Sequence, residues 1–335
     1  MVKRRIPRQA LPHLLLVLAL LWPILAGCDF MVDNTVPRFL TYTEKELDLS
    51  SVLPASSRET RFDVILAGPD LDIPVFVLMV RPDAAGPDVA VFLAGDGTSV
   101  LARQASTEIT RFDTRPFLRT DGSVQIGNLV YNPVSGVLSN GPRLEDDYRA
   151  VVPKNGLYWL VRPGRDEFDR ATLEFETYDS GFTTRTPDGS LLVGDEPGVL
   201  TNAEFNSVDV RITRPGEFEF FLYGNSVNSD RGEAWFFSTD ADKNTLEEGI
   251  RLAGPRWYED NSIIRTPQGF LGRDRNRDRL YRLDLESGVV VDMFEFGGAL
   301  EERYERAPLV FDPAGRFYLL YDQEKRILYK VAPWW

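Results

Sequence analysis

The sequence predicts an all-β fold made of repeated units of short strands, and two features of the 335-residue chain support it. Apolar or alternating runs recur along the chain, separated by Gly, Pro, Asp and Asn, which is typical of strands joined by tight turns. Turns of similar sequence recur as well. The clearest strand candidates are Pro74–Val80, Val89–Leu93, Leu157–Val161, Glu217–Leu222 and Arg316–Tyr321.

Helical periodicity is limited to two short stretches. One lies near Glu44–Ser50, and the other spans Gly298–Arg306 and stops before Pro308. We predict a short helix at each, because both are rich in residues that favour helices. Neither is long enough to change the fold class.

The recurring turns end in glycine. Proline presets φ in such turns, and glycine accepts the positive φ that precedes the next strand. Three are near-copies and one is a looser copy: Arg119–Gly122, Arg185–Gly189, Arg265–Gly269 and Asp312–Gly315. With the weaker strand-opening glycines, the series is Gly86, Gly122, Gly156, Gly189, Gly232, Gly269 and Gly315, at spacings of 33 to 46 residues.

A second repeated element is a hairpin whose turn ends in Ser-Gly, found at Val130–Leu138 and Leu283–Val290. Units of turn and strand at this period are typical of β-propeller blades. At about 40–45 residues per blade, residues 38–335 would form about seven blades, with six to eight allowed. A β-sandwich, or two β-domains with ordinary hairpins, is the alternative.

The last strands of the chain carry a family resemblance. The segment Asp312–Val331 runs from a glycine turn into a strand, an acidic turn and a strand ending in Tyr-Lys-Val. It resembles one blade of the NHL or quinoprotein-like propellers. The resemblance implies the propeller architecture for the body of the chain and covers about a third of it.

The N-terminus has the anatomy of an export signal. Lys3, Arg4, Arg5 and Arg8 precede an apolar run that starts at Leu14, with no acidic residue among them. A basic start followed by a short apolar run is typical of a secretory signal. The run to residue 27 contains a proline and falls short of the about 20 residues that a spanning helix needs.

The apolar run ends in Leu25-Ala26-Gly27-Cys28, which resembles the lipobox of bacterial lipoproteins. The resemblance implies cleavage before Cys28, a diacylglycerol on its thiol and acylation of the freed amine. Two or three acyl chains anchor a protein stably, whereas one binds only marginally. The alternative is an ordinary signal peptide in which Cys28, the only cysteine of the chain, is incidental.

These features divide the chain into a signal peptide (1–27), a lipidated tether (28–37) and a β-propeller-like domain (38–335). Removing residues 1–27 removes four basic residues and no acid, so the net charge changes from −13 to −17. Such a surface repels nucleic-acid phosphates, and we expect no nucleic-acid partner. The chain would lie in the cell envelope, anchored to a membrane and facing the periplasm or the cell surface.

The only histidine, His13, lies in the signal peptide. The remaining chain therefore lacks the side chains for Ser-His or Cys-His catalysis and the usual ligands of zinc, copper and haem. Carboxylate chemistry and oxygen-ligated calcium stay open. We assign no catalytic residue, metal ligand or cofactor.

Two segments partly match a calcium loop. Asp274–Asp278 has alternating oxygen side chains, but Arg279 stands where the loop needs glycine and Leu285 where it needs glutamate. Asp240–Asn244 is followed by two more acids at positions 247 and 248. We interpret both as solvated hairpin turns.

Aromatic residues cluster at Tyr158-Trp159, Trp235–Phe237, Trp257-Tyr258 and Trp334-Trp335. In strands, such residues are expected to be core between blades. The C-terminal pair would either close the ring or lie at the membrane interface, where tryptophan is favoured.

Three functions are compatible with this sequence. The favoured one is a non-enzymatic binding or scaffold module that presents the propeller to an envelope protein or a glycan. The alternative is a carboxylate- or calcium-dependent hydrolase or lactonase. A quinone-dependent dehydrogenase is suggested only by the Ser-Gly turns and ranks last. The choice between inner and outer membrane stays open.

The lipobox predicts that replacing Cys28 with Ala abolishes incorporation of a clickable palmitate analogue. The variant should accumulate as uncleaved precursor or appear as soluble protein after detergent phase separation. A variant that still takes the label and stays in the detergent phase would show that Cys28 is not the anchor.

Overall fold

The predicted strands form six separate sheets, and each sheet is one blade of a β-propeller. The computed structural model describes residues 38–39, 42–106, 115–144, 150–168, 170–192, 203–214, 217–226, 232–240, 249–252, 263–273, 279–295 and 307–333. These residues all belong to the compact unit Pro37–Trp335. They contain no α-helix, so none of them lies in a helix that could cross a membrane.

The described chain starts with two strands, β1 (Arg38–Phe39) and β2 (Tyr42–Asp48). Both join blades whose other strands come from the C-terminal part of the chain. The next three blades each take four consecutive antiparallel strands. Blade 1 contains β3 (Ser57–Ala67), β4 (Ile73–Pro82), β5 (Asp88–Leu93) and β6 (Val100–Ser106). Blade 2 contains β7 (Phe117–Leu118), β8 (Val124–Ile126), β9 (Leu129–Asn132) and β10 (Val137–Asn140). Blade 3 contains β11 (Ala150–Lys154), β12 (Leu157–Arg165), β13 (Ala171–Tyr178) and β14 (Arg185–Leu192).

The remaining blades follow the same order, and the last two also receive the N-terminal strands. Blade 4 contains β15 (Ala203–Arg214), β16 (Glu217–Ser226), β17 (Gly232–Asp240) and β18 (Ile250–Leu252). Blade 5 contains β19 (Ile263–Thr266), β20 (Gly269–Arg273), β21 (Arg279–Leu283) and β22 (Val290–Glu295), with β1 parallel to β22. Blade 6 contains β23 (Leu309–Phe311), β24 (Tyr318–Asp322) and β25 (Ile327–Pro333), with β2 antiparallel to β25.

The hydrophobic core is divided into six clusters, and each cluster lies between two consecutive blades. Strand β16 shows how one strand serves two clusters. Phe220 and Leu222 pack towards blade 3, whereas Phe221 and Tyr223 pack towards blade 5. Side chains alternate between the two faces of a strand, so a strand buried on both faces reads as a continuous apolar run.

The ring closes through β2 and β25. Their antiparallel register pairs Glu44 with Val331 and Leu47 with Leu328. The cluster between blades 6 and 1 includes Leu328, with Leu47 packed against it. The N-terminal strand therefore completes the C-terminal blade and closes the ring.

The helix predicted near Glu44–Ser50 is wrong, because residues 42–48 form β2. The helix formers in Glu44–Glu46 express a weak local preference, whereas pairing with β25 supplies a whole row of backbone hydrogen bonds. The second predicted helix, Gly298–Arg306, lies outside the described residues.

The glycine turns are confirmed in part. Gly122, Gly156, Gly269 and Gly315 each have positive φ and close the turn between the first and second strand of blades 2, 3, 5 and 6. Blade 1 uses Gly68, which the sequence analysis did not place in the series.

The segment Arg185–Gly189 was wrongly predicted as such a turn, because it lies within β14. Its glycine has a φ of 84°. The β13–β14 register shifts between Glu174 and Glu176 at this point, so the positive φ is absorbed by a β-bulge.

The remaining sequence predictions agree well with the strands. All five clearest candidate runs overlap strands, and the Ser-Gly hairpins are the β9–β10 and β21–β22 turns. Six blades lie within the predicted range of six to eight, one fewer than the favoured number.

Deleting residues 326–335 removes β25, the strand between β24 and β2, and should unfold the whole ring in one transition. Leu328, Tyr329 and Val331 are each at most 3% exposed. Their burial contributes about 5–9 kcal/mol, which is comparable to the total stability of an ordinary domain. Thermal melts followed by far-ultraviolet circular dichroism would measure this.

Deleting Arg38 and Phe39 is the matched control, because β1 only adds a two-residue edge to blade 5. We expect its melting temperature to stay within a few degrees of that of the intact chain. A chain without residues 326–335 that melts like the intact protein would argue against closure through β25.

Candidate functional site

The centre of the ring is a channel bounded by the first strand of each blade. Residues from all six blades line a cavity of about 150 Å³ there. Part of the lining is apolar, contributed by Val64, Ile65, Leu118, Val152, Ile212 and Ile264. The rest is charged, and consists of Asp63, Arg115, Asp209, Arg211, Glu219 and Arg265.

Blade 4 supplies half of these charged residues, and strand alternation places them. Asp209 and Arg211 are two residues apart on β15, so they share one face of the strand. Val210 and Ile212 pack against the apolar cluster between blades 3 and 4. Glu219 joins the charged group because β16 pairs it directly with Arg211.

Ion pairs in the channel connect different blades. Arg115 of blade 2 forms a salt bridge with Asp209 of blade 4, across the intervening blade 3. Arg265 of blade 5 donates to Glu219 of blade 4, with Nη1 2.8 Å from Oε1. The side chains of Asp209 and Glu219 are 1% and 7% exposed, so both carboxylates are held almost fully out of water.

Blade 1 contributes an ion pair within one strand. Arg61 donates from Nε to Oδ2 of Asp63 at 2.9 Å. The channel is narrow between blades 1 and 4, since β3 and β15 have Cα atoms within 8 Å of each other although the two blades are not adjacent. The ring is therefore pinched across its centre rather than open along its whole axis.

Arg211 differs from the other channel arginines because the groups that it contacts directly are neutral. Its Nη2 donates to the backbone carbonyl of Ile263 at 3.0 Å, and its Cζ lies 5.7 Å from the ring centroid of Phe221. Desolvation lowers the pKa of its guanidinium, while Tyr223, Glu219 and Asp63 act in the opposite direction. These electrostatic effects do not fully offset the lowering of the pKa by desolvation.

A depression of about 390 Å³ lies among the turns of blades 1, 2 and 3 and borders the channel cavity, since Leu118 and Ile212 line both. The turns that contain Gly68 and Gly122 meet here, because the N–H of Gly68 donates to the carbonyl of Gly122 at 2.8 Å. A Cβ on Gly122 would lie 2.7 Å from the carbonyl carbon of Gly68, so only glycine allows this approach. The depression is lined by Arg119, Thr120, Asp121 and Asn155, among others.

Two residues lining this depression have strained backbones. Leu71 and Asn155 have φ values of 56° and 48°, in the left-handed region that is unfavourable for leucine above all. Strain of this kind is kept where the surrounding structure requires it, often at binding sites. We call this depression the turn-end mouth of the channel.

The sequence-predicted site residues are placed as follows. Cys28 and Asp274–Asp278 lie outside the described residues, and of Asp240–Asn244 only Asp240 is described, at the end of β17. Within the described ranges, no group of three or more His, Cys, Asp or Glu side chains is arranged to hold a metal ion.

The aromatic clusters are core where they are described. Tyr158 and Trp159 have no exposed surface, and Phe236 and Phe237 are buried, while Trp235 is half-buried. The Trp257-Tyr258 and Trp334-Trp335 pairs lie outside the described residues.

Sequence reasoning missed the charged channel. A signal was present, because Val208-Asp209-Val210-Arg211-Ile212 alternates apolar and charged residues as a strand with one polar face does. The sequence pattern does not show that this face points to the centre of a ring.

Comparison with known proteins finds no matching family model and no matching curated protein. Solved structures with a similar fold include Raptor from Chaetomium thermophilum, with 8% identity over 88% of this chain and 30% of that one, at a TM-score of 0.44. An α-L-arabinofuranosidase from Fusarium graminearum shares 9% identity over 89% of this chain and 98% of that one, at 0.43. Hydrazine synthase from Kuenenia stuttgartiensis shares 9% over 77% and 92%, at 0.39. These similarities concern the architecture alone.

Replacing Asp209 with Asn should destabilise the fold by about 3–5 kcal/mol, because it leaves Arg115 as a buried charge without its carboxylate. Urea unfolding would measure the change. Replacing Arg115 with Met in the same chain should recover part of the loss.

Glu59→Gln is the matched control. Glu59 accepts from Arg81 at 3.0 Å, but its side chain is 47% exposed, so its loss should cost at most about 1 kcal/mol. Equal losses for the two variants would mean that the channel pair is no more buried in solution than the surface pair.

Proposed function

We propose that this protein is a lipid-anchored binding module of the cell envelope, which engages its partner through the channel end of a six-bladed propeller. One observation supports binding over catalysis: each channel carboxylate is engaged by an arginine. Asp63 pairs with Arg61, Asp209 with Arg115 and Glu219 with Arg265.

These pairs matter because hydrolysis by carboxylates needs a different arrangement. Glycosidases, for example, place two carboxyl groups on either side of the bond that breaks, one of them protonated to act as an acid. In this channel the carboxylates are committed to guanidinium groups, Asp63 within its own strand and Asp209 and Glu219 across blades. Such an arrangement fixes the shape and charge of a recognition surface.

The membrane anchor is part of the same proposal and is supported by sequence. Cys28 ends a lipobox-like segment only ten residues before β1 begins at Arg38. Acylation there would hold the ring at a membrane, facing the periplasm or the cell surface. The likeness of Asp312–Val331 to NHL or quinoprotein-like blades belongs to this proposal as well.

The nature of the partner follows from charge. A net charge of −17 after cleavage favours an envelope protein or glycan surface that is neutral or basic. Attraction between exposed charges is screened beyond about 10 Å at 0.1 M salt, so binding should weaken as salt rises.

We predict that a photo-reactive amino acid in place of Thr120, at the turn-end mouth, will crosslink to a defined envelope partner in intact cells. The same amino acid in place of Leu101, which is exposed on the outer strand of blade 1, is the matched control and should give little of that product. Equal labelling from both positions would contradict a specific surface at the mouth.

The enzyme alternative is tested on the same purified protein, with lactones and aryl glycosides, with and without calcium. We expect no turnover. Turnover that is lost in Asp209→Asn or Glu219→Gln, in protein that remains folded, would replace the binding module with the hydrolase or lactonase.

A further inference from the structure

One arginine of the channel, Arg211, has no carboxylate in direct contact with it among the described residues. Arg61, Arg115 and Arg265 each pair with a carboxylate, as described above. Among the described residues, no carboxylate oxygen lies within 4 Å of the Arg211 guanidinium, whose one hydrogen bond goes to the carbonyl of Ile263. Arg211 therefore carries a positive charge with no carboxylate in direct contact, and its buried Nε has no hydrogen-bond partner among the described residues.

This charge is set deep in the ring. Arg211 lies between the channel and the aromatic cluster of blades 4 and 5, where Phe221 has no exposed surface. Removing an ion from water is costly unless a partner of opposite charge replaces the water. The carbonyl of Ile263 and the face of Phe221 supply only part of that compensation.

Arg211 is nevertheless accessible from one side. Its side chain is half-buried, and it lines the channel cavity of about 150 Å³. A group that enters the cavity can therefore reach the guanidinium. Arginine binds carboxylates in a planar, two-pronged geometry that suits such an encounter.

We propose that the channel is a binding site for a small carboxylate, held by the Arg211 guanidinium. This inference rests on the proposed binding function and names the chemistry that the channel recognises. A bound carboxylate would give Arg211 the direct ionic partner that Arg61, Arg115 and Arg265 already have.

The site selects against larger and more highly charged anions. Pockets for drug-sized ligands have volumes of about 300–1,000 Å³. The channel cavity is smaller, so it accepts a group of a few heavy atoms. Asp63, Asp209 and Glu219 line the same cavity and would repel the second charge of a phosphate or sulfate. The carboxylate belongs either to a free small acid or to the C-terminus of a peptide.

The test uses the full-length protein purified in detergent and titrated calorimetrically with lactate, acetate and short peptides with a free C-terminus. Acetamide, a C-terminally amidated peptide and phosphate are the comparison ligands. We expect saturable binding of a carboxylate and at least about 10-fold weaker binding of its amide and of phosphate, because hydrogen bonds to charged groups are the strong ones. Preference for lactate or for the peptide identifies the source.

Arg211→Gln should reduce carboxylate affinity about 10- to 100-fold. Arg103→Gln is the matched control and should bind as the natural protein does. Arg103 also donates to a backbone carbonyl, that of Val52 at 3.0 Å, but it lies on the exposed strand β6. Without ligand, Arg211→Gln should melt at the same or a higher temperature, since it removes a desolvated charge that no carboxylate contacts directly.

Two results would overturn the inference. One is the absence of carboxylate binding to the natural protein at tens of millimolar, and the other is full affinity in folded Arg211→Gln. If that variant does not fold, Arg211→Lys and the comparison of carboxylate with amide on the natural protein decide the question. A specific crosslink from Thr120 without carboxylate binding would leave the proposed function standing and remove only this inference.

Discussion

Burial of both faces of every sheet is the constraint on which this structure depends. A blade such as β15–β18 carries phenylalanines on either side, and it cannot cover them by itself. Each face is covered by the neighbouring blade, so six clusters alternate with six sheets around the ring. An open row of blades would leave two apolar faces in water, and closure by β2 and β25 removes both.

The channel is a consequence of that closure. The first strands of the blades converge on the centre, where a short polar face of β15 replaces the apolar faces found elsewhere. Charged residues are tolerated there because partners come from other blades, as Arg115 does for Asp209 and Arg265 for Glu219. The same ion pairs tie non-adjacent parts of the ring together, so recognition chemistry and architecture use the same side chains.

Prediction from sequence succeeded where the local pattern and the tertiary packing favour the same structure. The apolar runs at Val89–Leu93 and Leu157–Val161 became buried strands, and Gly122, Gly269 and Gly315 became turn glycines with positive φ. Prediction failed where the same local pattern is compatible with two structures. Glu44–Glu46 favours a helix in isolation but completes a blade here, and Gly189 takes its positive φ in a bulge rather than in a turn.

The sequence by itself determined the all-β class, the repeat of strand and turn, the acidic charge and the absence of histidine after residue 13. These follow from residue types and from spacings within about 40 residues, which local sterics and side-chain alternation translate directly into strands and turns. Only the tertiary structure decided the number of blades, the partner of β2 and the placing of Arg211, Asp63 and Glu219 around one cavity. Those depend on contacts between residues far apart in the chain, which exist only once every apolar face has found its neighbour and the ring has closed.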